Sequence, residues 1–151
     1  MQLLCCGDRN WFGRECVAIM LKQHFDDGYT HMIEGEATGA DKMCRIEGEV
    51  IGFTVDKMPA EWDRSGRAAG PIRNLAMLKK LDPRTDKVLA FHDNLEESKG
   101  TKHTVTTARK MGIDVEVVNR YDVCYEFTWR RADRRKCQGC PHWDECIRPT
   151  Y

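Results

Sequence analysis

The chain has 151 residues, 41% of them hydrophobic and 32% charged, with 24 basic residues against 24 acidic. That length closes one core and leaves room for a small appendage, while the balanced charge supplies no general field toward nucleic acid or an anionic membrane. No apolar run approaches the ~18 residues of a membrane-spanning helix, and the N-terminal MQLLCCGDRNW lacks the layout of a signal peptide, so a cytoplasmic protein without membrane contact is expected.

Short apolar strands alternate with helical segments. Leu3 to Cys6 predicts a first strand, and Val17, Met20, Leu21, His24 and Phe25 recur at helical spacing before a stop at Gly28. His31 to Ile33 predicts a second strand, followed by a helix whose inner face is expected at Met43, Ile46 and Val50. Phe53 to Met58 reads as a third strand. A helix is expected from Arg67 to Leu81, with Leu75, Leu78 and Leu81 inward and Pro71 in its first turn, where the missing N–H does no harm. Lys87 to Phe91 is a near-continuous apolar run of the kind buried on both faces. Thr101 to Met111 predicts a last helix, stopped by Gly112, and Ile113 to Val118 a fifth strand.

This order predicts an α/β, Rossmann-like parallel sheet of about five strands with helices on both faces. The alternation stops after Asn119, so residues 1–119 read as one domain and residues 120–151 as a small Cys-rich module.

Ligands of open parallel sheets bind outside the carboxyl ends of the strands. Four segments are expected to meet there: CGDRNW with Gly7, Asp8, Arg9 and Trp11; the turn holding Gly35, Ala37, Gly39, Ala40 and Asp41; PAEWDRSGRAAGPIRN with Trp62, Gly66, Arg67, Gly70, Arg73 and Asn74; and HDNLEESKGTKHT with Lys99, Gly100 and Thr101. Small residues at a strand-to-helix turn bring backbone N–H groups close to a ligand, and the helix N-terminus adds partial positive charge. The pair binds phosphate. Such a turn is offered at Gly35 to Asp41, at Gly66 to Gly70 and at Lys99 to Thr101. Arg9, Arg67 and Arg73 are candidate phosphate or carboxylate contacts, and Trp11 and Trp62 candidate platforms for a base. Asp41 also reads as a first-turn acid that complements the helix dipole.

These four segments resemble the successive motifs of SLOG domains, in the YspA/YpsA-related branch common in bacteria and phages. The resemblance covers about residues 1–119, and its most specific part is Gly66-Arg67-Ala68-Ala69-Gly70-Pro71-Ile72-Arg73-Asn74. It implies a Rossmann-like domain that binds nucleotides or nucleotide-derived small molecules. Some members are receptors in nucleotide-signalling immunity, and others cleave the N-glycosidic bond of nucleoside monophosphates. The hydrolases carry P-G-G-x-G-T-x-x-E with a catalytic glutamate. Here the matching stretch runs through Glu97, Ser98, Lys99, Gly100 and Thr101, and Thr104 stands at the glutamate position. A hydroxyl does not replace that carboxylate, and the adjacent His103 points away by ~100° on a helix.

A binding module, receptor or sequestering protein, is therefore the leading expectation. The alternatives are a nucleotide-processing enzyme using Asp8, Asp41 or Asp93, and a nucleic-acid-binding accessory protein. Homo-oligomerisation is left open by the sequence.

Of eight cysteines, Cys5, Cys6, Cys16 and Cys44 lie in apolar patterns and read as small buried hydrophobes. Cys124, Cys137, Cys140 and Cys146 form a four-thiolate set, with His142 as a substitute ligand. Such a set fits tetrahedral zinc or a [4Fe–4S] cluster. The basic run Arg130 to Lys136 beside it keeps a nucleic-acid contact open. Elemental analysis of protein purified anaerobically under reducing conditions is expected to find about one zinc, or about four irons, per chain. Four freely titratable tail thiols and no metal would remove the centre.

Overall fold

The computed structural model describes residues 1–120 and Val123. The four tail cysteines, His142, and nearly all of the expected Cys-rich module lie outside the described residues.

Five strands carry the domain: β1 (Gln2–Gly7), β2 (His31–Glu34), β3 (Thr54–Lys57), β4 (Lys87–Phe91) and β5 (Asp114–Val118). They form one sheet in the order β3-β2-β1-β4-β5, every neighbouring pair parallel. Between them run α1 (Arg14–Asp26), α2 (Ala40–Ile51), α3 (Trp62–Ser65), α4 (Ala69–Leu78) and α5 (Lys99–Lys110). No helix among the described residues is long and apolar enough to cross a membrane.

Alternation along each buried strand divides the core. Leu3, Cys5, Leu89 and Phe91 share one apolar cluster with Val17, Met20 and Leu21 of α1 and Cys44 of α2. Leu4, Cys6, Val88 and Ala90 share the other with Met77 and Leu78 of α4 and Val105 and Ala108 of α5. Successive side chains point to opposite faces, so a parallel sheet buried on both sides needs continuous apolar runs. Cys5, Cys6, Cys16 and Cys44 are buried, as their apolar settings predict.

Two helices differ from the sequence expectation. The inner face of α2 is Ala40, Asp41, Cys44, Glu47 and Gly48, while Ile46 is 44% and Val50 76% exposed. Met43 is partly buried against the core. Small residues set the phase: a Cβ on Gly48 would stand 2.7 Å from the Met32 Cε. The helix thus packs through its smallest side chains, with Glu47 turned to Arg14, and the larger apolar residues fall outside. The expected helix from Arg67 to Leu81 is shorter: a 3-10 turn (Gly66–Ala68) takes its start, α4 ends at Leu78, and a separate short helix, α3, lies upstream. Gly66 has φ +50°, a conformation unfavourable for other residues, and it breaks the run. Met77, Leu78 and Leu81 are buried, whereas Leu75 faces outward.

At the carboxyl edge Gly7 ends β1 where no side chain fits. An added Cβ would stand 2.6 Å from the Ala40 Cβ and collide with the Phe91 carbonyl oxygen. Gly7→Ala is therefore expected to destabilise the fold by about 3 kcal/mol, read by chemical denaturation. A change within experimental error would mean that the β1–α2 approach is looser than this geometry.

Candidate functional site

The strand order reverses direction between β1 and β4, which opens a crevice beyond their carboxyl ends. The loop after β1 is stitched into place there. The Asp8 N–H donates to the Phe91 carbonyl (2.9 Å), and the Asp8 carbonyl accepts from the N–H groups of Trp11 (3.1 Å) and Ala40 (3.0 Å). Gly39, with φ +77°, crosses this loop so closely that a Cβ would strike the Asp8 and Arg9 carbonyls. Gly39 and Ala40 therefore let two loops touch and do not line the cleft. Trp11 corrects an expectation in the same way. It is 3% exposed, packs edge-on against Phe91 at 5.6 Å between centroids, and belongs to the core.

The turn between β2 and α2 already holds an anion of its own. The Gly35 N–H donates to Asp41 Oδ2 (3.2 Å), and the Ala37 N–H also reaches this carboxylate. Arg73 lies beside it and donates from Nη1 to the Gly35 carbonyl and from Nε to Asn74 Oδ1 (2.8 Å). A Cβ on Gly35 would meet that guanidinium, so a side chain there would displace it. The small residues that predict a phosphate cradle are thus filled by an internal carboxylate. Burial raises the Asp41 pKa to about 6, against the lowering influence of Arg73, the turn amides and Arg9.

Glu34, at the end of β2, is fully buried and was not singled out by the sequence patterns. Its Oε2 accepts from the Glu36 N–H (2.6 Å), and its Oε1 has no hydrogen-bond partner. Burial is the main cause that carries its pKa to about 7, with the charges of Glu36 and Asp41 adding to it. An acid closing an apolar strand, in HMIE, is the only sequence signal for it. Glu36 follows in the left-handed region, φ 55°, and pairs with Arg45 at 3.0 Å.

The opposite wall is the start of α5. Ser98 Oγ accepts from the Thr101 N–H (3.0 Å), which caps the helix. The N–H groups of Lys99 and Gly100 come before any carbonyl one turn back within the helix. Thr104 is buried and donates from Oγ1 to the Gly100 carbonyl (3.1 Å). The third wall is α3 and α4. Trp62 is 51% exposed, with Arg9 above its ring at 6.0 Å.

These walls enclose a cleft of about 590 Å³, within the range of ligand sites. Of the residues expected there, it brings together Gly7, Asp8, Arg9, Ala37, Asp41, Trp62, Gly70, Arg73, Asn74, Lys99, Gly100 and Thr101. Gly35 lines an adjoining chamber of about 300 Å³. Gly66 and Arg67 line neither, because the 3-10 turn carries them away from the edge. The cleft also recruits Cys6, Asn10, Pro71, Ser98, His103 and Thr104. Asp93 lies outside it and serves the chain instead: its carboxylate accepts from the Arg120 N–H (3.1 Å) and pairs with the Arg120 guanidinium at 2.5 Å.

The chain is 31% identical over 121 residues to the Gene 61 protein of Mycobacterium phage D29, a match covering 76% of this chain and 93% of that protein. It belongs to the family of that phage protein. No family model matches the chain. No solved structure matches it.

The buried acids set a pH dependence whose sign is fixed. Glu34 and Asp41 have folded-state pKa values above their unfolded ones, about 7 against 4.5 and about 6 against 3.8. The native state therefore holds protons that the unfolded chain releases, and stability falls as pH rises from about 4 to 7. For His24 burial lowers the pKa, but hydrogen bonds to Glu116 and Met20 outweigh it and leave it raised, so this residue carries the fall in stability on above about 6.5. Glu34→Gln removes the charge and keeps an acceptor for the Glu36 N–H. It is expected to stabilise the protein at pH 8 by on the order of 2 kcal/mol, and to flatten the melting temperature between pH 5 and 8. An unchanged slope would show that Glu34 is ionised throughout.

Proposed function

We propose that this member of the Gene 61 protein family binds a phosphate-bearing, nucleotide-derived small molecule in the cleft, as a receptor or sequestering protein. The observation that carries this reading is the start of α5. Lys99, Gly100 and Thr101, at the N-terminal end of α5, line the cleft at the strand-order reversal, where uncapped N–H groups and the helix dipole favour an anion. Nothing lies within 4 Å of a Cβ built on Gly100, so a ligand can approach that backbone closely. Arg9 adds a cation on the facing loop.

The phosphate is assigned to α5 and not to the β2–α2 turn, since Asp41 occupies that turn. Arg73 contributes by holding Asp41 and the Gly35 carbonyl in register, which makes it a positioning residue. Thr104 supports binding without N-glycosidic hydrolysis: its hydroxyl is spent on the helix backbone where the resembling hydrolases carry glutamate. One observation favours the enzymatic alternative. Asp41 lines the cleft with a pKa of about 6, within reach of acid–base work near neutrality.

Calorimetric titration with nucleoside monophosphates tests the reading. Arg9→Ala and Lys99→Ala are each expected to weaken binding by roughly tenfold, the scale of a charge-assisted hydrogen bond. Full affinity in both variants would move the phosphate elsewhere. The wild type is expected to release no free base, and robust release abolished by Asp41→Asn would establish the enzyme.

A further inference from the structure

We infer that the adjoining 300 Å³ chamber is a nucleobase site, with Trp62 as its platform and Glu36 as the residue that selects among bases. This rests on the phosphate assignment above and adds where the rest of the ligand goes. The two cavities share Arg9, Ala37, Trp62 and Arg73, so one molecule can pass from the α5 wall into the smaller chamber.

The chemistry of the two chambers differs. The larger is cationic where Lys99 and the helix N-terminus face it. The smaller shares Arg9, Arg73 and the indole of Trp62 with it and adds the apolar Pro59 and Ala60, with Thr38 and Glu36. Pro59 has no N–H to give. The Gly35 carbonyl is taken by Arg73, and the Ala60 carbonyl accepts from the Trp62 N–H (3.1 Å). A second phosphate here would meet Arg9 and Arg73 but also Glu36, with Glu34 and Asp41 behind it. A flat, uncharged ring that donates hydrogen bonds meets none of these penalties.

The platform is held in place. A Cβ on Gly70 would lie 3.4 Å from Trp62 Cη2, so the indole rests against the start of α4. Arg9 stands over the ring at 6.0 Å, which orders both side chains. The half-exposed indole then offers stacking surface to a base, an interaction tolerant of base identity. Selection falls to Glu36. Glu36 lines the chamber and pairs with Arg45, its carboxyl also shares a hydrogen bond with Glu34, and when ionised it only accepts. A base with adjacent N–H donors, such as guanine, suits it better than uracil.

Calorimetry with ribose 5-phosphate, GMP and UMP reads both parts. Wild-type protein is expected to bind GMP at least about tenfold more tightly than ribose 5-phosphate. Trp62→Ala should cost GMP roughly tenfold more than it costs ribose 5-phosphate, while Trp62→Phe should keep most of the advantage. Glu36→Gln should lower GMP affinity by roughly tenfold and leave UMP within about twofold. Equal affinity for GMP and ribose 5-phosphate in the wild type, or a Trp62→Ala loss of the same size for both, overturns the base site while the phosphate site stands. No binding of any of the three compounds removes the phosphate site and the base site together.

Discussion

The carboxylate of Asp41 is the interaction on which the candidate site depends. It sits in the first turn of α2, accepts from the turn amides and lies beside Arg73, which in turn grips the Gly35 carbonyl. One buried acid thereby joins β2, α2 and α4 at the carboxyl edge. A carboxylate left without these partners at such depth would cost several kcal/mol. A side chain at Gly35 would disturb the arrangement, since the guanidinium occupies the space a Cβ would need.

Around that pin the edge is built by close backbone approach. Gly7 and Gly39 let the β1 loop, the end of β4 and the start of α2 come within contact of one another. The consequence is a closely packed floor, against which α3, α4 and α5 supply the walls. Rigid scaffolds with ligand groups on the connecting loops are the usual division of labour in open α/β sheets.

The strand pattern was legible in the sequence because apolar runs bounded by turn residues leave little freedom, and the five parallel strands follow from it. The helix phases were less so. In α2, Gly48 and Cys44 carry the packing, and a reading that follows the largest apolar residues turns Ile46 and Val50 inward. Trp11 and Trp62 look alike in sequence, yet one closes the core and the other stands half-exposed over the cleft. Only the path of the β1 loop separates them. The turn at Gly35 was legible as an anion cradle, but not that its own Asp41 fills it, because that depends on a side chain folding back over six residues. Glu34 carried almost no signal, as a single acid at a strand end is ordinary in composition.

The position of β1 bears on how the chain reaches this structure. β1 is the central strand, and its second neighbour, β4, arrives more than 80 residues later, with Gln2 bonded to Asp86 across that distance. During synthesis, β1 to β3 emerge with one long apolar edge uncovered until β4 docks. Such non-local parallel pairing is slow, because loop-closure entropy is lost before contacts repay it. The cleft straddles this same seam, so no fragment ending before β4 contains it, and its assembly coincides with completion of the sheet.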